Sequence, residues 1–531
     1  MTDILTSSFL WRAVAAIGAM LSACASSSRV LGVLRGWLSG SAAVQAAARA
    51  LGRNPEATES SRMTRRLARL NARLSRMDAL REALDGSIPA RIWHALVQAG
   101  KNSRLAGWLF SDGLRGVVLS MLALYVGIDF LLRDALAIPV LSSAWDEGLM
   151  LLALAAILLD RIGTKPPLRP CTTPQDVPVL IYLTAAFVLM NVVAPFFSIQ
   201  IAGFRAAAQY LLWFFLAIRL IQSERDFLRV YVLMTLLAAV IALHGIYQYI
   251  VAVPIPASWT THSETAVRTR VYSIFGSPNI MGDFMVMLAP MAAALAYFVR
   301  DLRWKIAAWI AAFCMCFACL FTMSRGAWMA MAVSIVLFIL LVDRRLLAPL
   351  FAAAIAACML PFVRSRIGFL FTPEFQEATA AGGRARRKLV ALTLLASRGK
   401  ALGAGLGMFG GAVAMQNQVL DFVEYTYVDN YYLKVLTETG YVGLGAYLVM
   451  IVGFAVNGCR ALCRCAAQTK QSLRSLYPLC AAIFSGLCGV LLHCLFENIF
   501  EEPYMMAYFW TLAAMLLWAG FLRGREQEDA Q

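Results

Sequence analysis

The sequence predicts an all-α, polytopic membrane protein of about twelve transmembrane helices, and three observations predict it. The 531-residue chain is 60% hydrophobic and 15% charged, with a mean hydropathy of +0.68, whereas a soluble domain carries roughly a quarter charged residues. Its apolar runs have the length, roughly 20 residues, that carries a helix across a hydrocarbon core. Lys and Arg gather in the connections between alternate runs, which is the pattern of cytoplasmic loops. Backbone groups in lipid must be satisfied within their own segment, so these runs are helices.

The elements follow in order. Residues 1–113 form a basic region of their own: between 1 and 110 stand fifteen Lys/Arg and six Asp/Glu, a net of +9. From Glu59 to Leu84 the charges interleave with Leu67, Leu70, Leu74, Leu80 and Leu84 at helical spacing, a basic amphipathic helix. Two readings stay open for it: a helix lying on anionic lipid at the cytoplasmic leaflet, or a solvated helix with no partner. The transmembrane domain, 114–525, reads as spans near 115–132, 148–160 extended upstream, 178–196, 206–222, 228–248, 276–298, 305–322, 325–342, 346–363, 430–456, 477–496 and 504–522. With the N-terminus inside, the connections bearing Arg161, Lys165 and Arg169, then Arg225 and Arg229, Arg300, Arg303 and Lys305, Arg344 and Arg345, and Arg460, Arg464, Lys470 and Arg474 all face the cytoplasm. Both termini are then cytoplasmic, with 526–531 as a short tail.

Composition also argues against several classes. A net charge of +16 would suit nucleic acid, but its distribution is topological, so no nucleic-acid partner is expected. Of the twelve cysteines, none lies in a connection placed outside, so no disulfide framework is expected. Cys314, Cys316 and Cys319 sit in an apolar run and read as small core residues rather than a metal site. Leu21-Ser22-Ala23-Cys24 has the form of a lipoprotein cleavage box, but the apolar stretch before it is short and the charge pattern opposes an external N-terminus. His244 and His493 lie in spans and read as satisfied core groups. His94 falls in the basic region, and His262, beside Trp259 in a connection placed outside, is a side candidate for ligand contact.

The same topology sends 249–275, 364–429 and 497–503 outward. The long connection between the ninth and tenth spans breaks the positive-inside pattern, with Arg364, Arg366, Arg384, Arg386, Arg387 and Lys388, and then a patch of Gly403, Gly405, Gly407, Gly410 and Gly411. An arginine fork binds phosphate oxygens bidentately and keeps its charge, and glycines let the backbone approach an anion closely. A diphosphate fits; lipid headgroups are the plainer alternative. Upstream, Arg268-Thr269-Arg270 precedes Phe275-Gly276-Ser277-Pro278-Asn279, a turn that starts the sixth span. Ser324-Arg325-Gly326 sits at the outer junction of the seventh and eighth, where an arginine is costly unless it serves a purpose. A tight turn with Arg325 snorkelling outward is the alternative.

These motifs, followed by Asp429-Asn430-Tyr431-Tyr432-Leu433 and Thr437-Glu438-Thr439-Gly440-Tyr441-Val442-Gly443-Leu444, carry a resemblance over about 178–520 to the O-antigen ligase and polymerase superfamily. The resemblance implies a GT-C-like membrane fold and a glycosyltransferase without metal or other cofactor. It also implies an undecaprenyl-diphosphate-linked glycan as donor, on the outer face of the inner membrane. The growing polysaccharide, membrane lipids and other export or assembly proteins would be its partners. Arg270 and Arg325 would hold the diphosphate, with Arg268, Arg384, Arg387, Asn279 and Asn430 around the substrate and Asp429 orienting or deprotonating the acceptor hydroxyl. Ligases of this superfamily carry His-Asn where this chain has Asp429-Asn430. That difference favours a polymerase of repeat units over a ligase acting on a lipid or protein acceptor. Glu424, Glu438, Glu501 and Glu502 are lesser base candidates, the last two reading more simply as caps of the twelfth span. A lipid-linked oligosaccharide flippase is a further reading, weakened by the absence of a visible internal repeat. A non-catalytic assembly subunit would leave the arginine pattern unexplained.

Overall fold

In the computed structural model the described residues are 62–100, 112–137, 139–168, 170–193, 196–255, 269–368, 371–373, 384–417, 428–468 and 475–523. They form helices, with no extended strand among them. In chain order these are α1 (Arg62–Leu74), α2 (Asp78–Asp85), α3 (Ile88–Gly100), α4 (Gly113–Ala123), α5 (Tyr125–Phe130), α6 (Pro139–Leu159) and α7 (Asp176–Val192). Then come α8 (Phe197–Ala208), α9 (Leu212–Leu220), α10 (Glu224–Val251), α11 (Pro278–Phe298), α12 (Leu302–Phe321) and α13 (Arg325–Val342). The last are α14 (Leu347–Met359), α15 (Pro361–Gly368), α16 (Arg384–Arg398), α17 (Ala412–Asn417), α18 (Tyr431–Gln468), α19 (Tyr477–His493) and α20 (Pro503–Phe521).

Among the described residues seven helical segments are long and apolar enough to cross a membrane: Phe197–Leu220, α10, α11, α12, α13, α18 and α20. The bent pair Gly113–Ala123 and Tyr125–Ala135 makes up to eight, and α7 and α19 are shorter apolar helices. The chain is a multi-pass membrane protein. The figure of twelve spans exceeds what length and composition support among the described residues.

Several boundaries differ from those read in the sequence. The expected first span is bent by 73° at Leu124. The expected fourth span begins earlier, at Phe197, and passes through a tight turn at Gln209–Leu211. The expected ninth span stops at Met359, because Pro361 cannot continue the hydrogen-bond ladder. The expected tenth runs on to Gln468, so Arg460, Arg464, Cys459, Cys463 and Cys465 lie on helix α18 rather than in a loop. Near its start α18 is broken at Gly440 (φ 63°, ψ −165°), a conformation open to glycine at little cost. The ladder groups freed there are met from the glycine patch: Ala404 N and Gly405 N donate to Thr437 O and Glu438 O, each at 2.9 Å. In return Tyr441 N and Val442 N donate to Lys400 O (3.0 Å) and Ala401 O (3.1 Å).

All these helices are apolar, but they are not equally enclosed. α20 is 100% buried over its apolar window and α11 89%, whereas α12 is 28% buried. Hydropathy cannot separate the two cases, since lipid is as apolar as the protein interior. Small residues do: α11 lies so close to α19 that a Cβ on Gly486 would stand 2.3 Å from Met287 O.

The expected amphipathic helix resolves into α1 and α2, and the buried residues of α1 and the turn after it are polar: Thr64, Asn71 and Ser75. It docks on the connection after α6, where Asn71 Nδ2 donates to Leu168 O (2.6 Å) and Arg161 Nε donates to Asn71 Oδ1 (3.1 Å). Leu70 and Leu80 stay exposed. The Leu21–Cys24 box lies outside the described residues.

Candidate functional site

Five helix ends meet at one end of the bundle. α10 finishes there, α11 and α13 start there, and α12 and α19 finish beside them. α11 begins as the sequence suggests, with Ser277 as N-cap and Pro278 in the first turn. Ser324 caps α13, its side chain accepting from Ala327 N. The strand of chain entering α11 is pinned by Gln248 of α10, whose Oε1 accepts from Tyr272 N (3.1 Å) and Ser273 N (2.8 Å). Val271 N adds a bond to Phe321 O at 3.2 Å.

Between these ends lies a cavity of about 160 Å³ lined by Arg270, Asn279, Arg325, His493, Phe496 and Glu497, with Met323, Ser324 and Gly326 beneath. Arg270 is 8% exposed. Its Nε donates to Thr322 O (3.2 Å) and its Nη2 to Asn279 Oδ1 (3.4 Å). Asn279 in turn donates from Nδ2 to Glu497 Oε2, so the arginine and the carboxylate are joined through one amide. On the far wall His493 Nδ1 lies 2.9 Å from Asp283 Oδ1. Two guanidinium groups facing one small space can hold an anion with paired oxygens.

The structure brings together three of the residues singled out in the sequence: Arg270, Asn279 and Arg325 line one cavity. Asp429 and Asn430 are not among its lining residues. Asn430 Nδ2 donates to Leu495 O and Tyr431 N to Cys494 O, both at 2.9 Å, which ties the pair to the segment carrying His493 and Phe496. Asp429 itself is held by Arg387, Nη1 to Oδ2 at 2.6 Å. Arg384 opens α16, the same helix as Arg387; its side chain, like Arg268, Trp259, His262 and Glu424, lies outside the described residues.

The glycine patch does something other than cradle an anion. It approaches protein backbone: a Cβ on Gly203 of α8 would stand 2.3 Å from Gly407 N, and one on Gly403 2.5 Å from Gly440 N. The patch is anchored by Asn498 Nδ2 donating to Gly410 O (2.7 Å), and by Phe409 N donating to Glu438 Oε1 (3.3 Å). Glu501 does not cap α20: it accepts from Ala412 N at the start of α17 (2.8 Å) and pairs with Lys434. Glu502 is the N-cap of α20 by position, without a side-chain cap bond. Burial raises its carboxyl above the ordinary range, with Tyr504 acting the other way.

Sequence reasoning missed His493 and Glu497 as cavity groups and Asp283 as the buried partner of His493. His493 is hydrogen-bonded, as a core histidine would be, but it also faces the cavity. His244, expected in the core, is exposed and meets Ser273 Oγ at 2.8 Å. Among the described residues no group of His, Cys, Asp and Glu is arranged to hold a metal ion.

No curated protein matches the chain. Residues 310–448, which run from α12 through Arg325, the arginine-bearing connection and Asp429-Asn430 into α18, match the family model described as O-antigen ligase. Over this stretch the chain resembles the O-antigen ligase and polymerase superfamily.

Proposed function

We propose that this protein is a glycosyltransferase that polymerises undecaprenyl-diphosphate-linked oligosaccharide repeat units into a surface polysaccharide. In this reading it works at the outer face of the bacterial inner membrane, with both termini in the cytoplasm. The observation that carries it is the convergence of Arg270 and Arg325 on one cavity, in a chain whose residues 310–448 match the O-antigen ligase family. The acceptor hydroxyl oxygen attacks the anomeric carbon, the bond from that carbon to the diphosphate oxygen breaks, and the electron pair leaves with the diphosphate. Arg270 and Arg325, steadied by Asn279, stabilise that leaving charge. Asp429 and Asn430, linked to Arg387 and Leu495, orient the acceptor.

Asp429 in place of a histidine favours a polymerase. The description of the matched family favours the second reading, a ligase passing the glycan to a lipid or protein acceptor. Purified protein given an undecaprenyl-diphosphate-linked repeat unit separates them. A ladder of products spaced by one repeat supports the polymerase, and a single transfer to a lipid core or protein supports the ligase. Vectorial movement with no new glycosidic bond overturns both. A reporter fused near Ala380 tests the topology, and a cytoplasmic signal there contradicts it.

A further inference from the structure

His493 closes α19 at the wall of the cavity, with neighbours from α11 and α13 against its ring. Asp283, wholly buried in α11, meets Nδ1 at 2.9 Å. With Asp283 ionised, its oxygen accepts from Nδ1, which places the proton there and leaves a lone pair on Nε2. Nε2 makes no hydrogen bond among the described residues, and His493 lines the cavity. From α13 comes Gly326, at which a Cβ would stand 2.7 Å from Nε2; glycine there leaves the ring its place. The charged and titratable groups around the imidazole are Asp283 from α11, Arg325 from α13, Arg270 from the segment before α11, and Cys494 and Glu497 following α19. Glu497 is already engaged on both oxygens, by Asn279 and by Asn498 N. Asp429 is held by Arg387 and is not among the lining residues. The ring is thus the cavity group with an open acceptor and a fixed orientation.

We infer that His493 takes the proton of the acceptor hydroxyl and that Asp283 is its positioning residue. The inference rests on the glycosyl-transfer reading. As the hydroxyl oxygen bonds to the anomeric carbon, its proton passes to Nε2, and the electron pair of the breaking bond leaves with the diphosphate toward Arg270 and Arg325. The imidazolium then releases its proton to solvent. Asp429 keeps the orienting part.

The test uses the purified full-length protein in lipid nanodiscs, with an undecaprenyl-diphosphate-linked repeat unit from a polymerase-deficient strain as donor. His493→Asn is expected to lose about 10²–10⁴-fold in kcat, while undecaprenyl diphosphate still raises its melting temperature as it does in the wild type. The acid limb of the pH–rate profile disappears in that variant, and added imidazole restores part of the rate. Asp283→Asn lowers kcat with KM for the donor unchanged, because the ring loses the partner that sets its tautomer. His493→Gln serves as a second variant should Asn impair folding. An unchanged rate and pH profile in folded His493→Asn or His493→Gln overturns the inference alone. So does a rate loss matched by loss of diphosphate binding and unrelieved by imidazole. A wild-type protein that forms no glycosidic bond overturns the glycosyl-transfer reading together with it.

Discussion

The two ends of α10 both hold buried arginine, in opposite settings. At its start Arg229 is fully enclosed, with Asp112 and Asp226 against its guanidinium. Arg115 lies between Asp160 (3.5 Å) and Asp226 (3.4 Å), and Arg523 of the chain after α20 pairs with Glu224. At the other end Arg270 and Arg325 stand around a cavity of about 160 Å³. Taking an ion out of water costs several kcal/mol, which carboxylates and hydrogen bonds must offset. At the start of α10 the protein supplies those carboxylates in direct contact and packs the space shut. At the far end it leaves the space between the arginines open. A buried arginine is therefore no sign of a site by itself; the space it faces is what marks one.

That contrast can be broken by substitution. Arg229→Ala removes the arginine paired with Asp112 and one of the two arginines at Asp226, and a loss of about 3–5 kcal/mol is expected in unfolding of the detergent-solubilised protein. The molecules that remain folded should turn over normally; a selective loss of activity would make this cluster part of the site. Arg270→Ala and Arg325→Ala should do the reverse, lowering kcat by about 10²–10³-fold with little change in melting temperature. Arg325→Lys is expected to recover only part of that rate, since lysine keeps the charge and loses the planar fork. Gly203→Ala tests whether the glycine patch packs or binds: a Cβ 2.3 Å from Gly407 N should cost about 1–3 kcal/mol in stability while donor affinity holds. The smallest effect is expected from Ser324→Ala, about 1 kcal/mol for the lost cap of α13, read as a modest drop in melting temperature.

Much of the fold was legible because a membrane imposes it. Long apolar runs became helices at close to their expected positions, and the Ser277-Pro278 and Ser324-Arg325 starts were read correctly. The bend at Leu124 and the break at Gly440 were not, since each depends on what packs against it. Gly440 turns because the segment from Lys400 to Gly405 supplies its missing hydrogen bonds. Of the cavity, the arginines showed in the sequence because charge next to an apolar run stands out. His493 and Asp283 did not: each is one polar residue inside an apolar helix, and they are brought together by the packing of α11 on α19. The glycine patch misled because glycine allows close approach to backbone and to anions alike.

The central claim is that the cavity between Arg270 and Arg325 holds the diphosphate of a lipid-linked donor. Titrating undecaprenyl diphosphate into purified wild-type and Arg325→Ala protein tests it most directly. Charge-assisted hydrogen bonds contribute about 1.5–3 kcal/mol, so the account predicts that Arg325→Ala binds at least roughly tenfold more weakly. Equal affinity in the two folded proteins would contradict it.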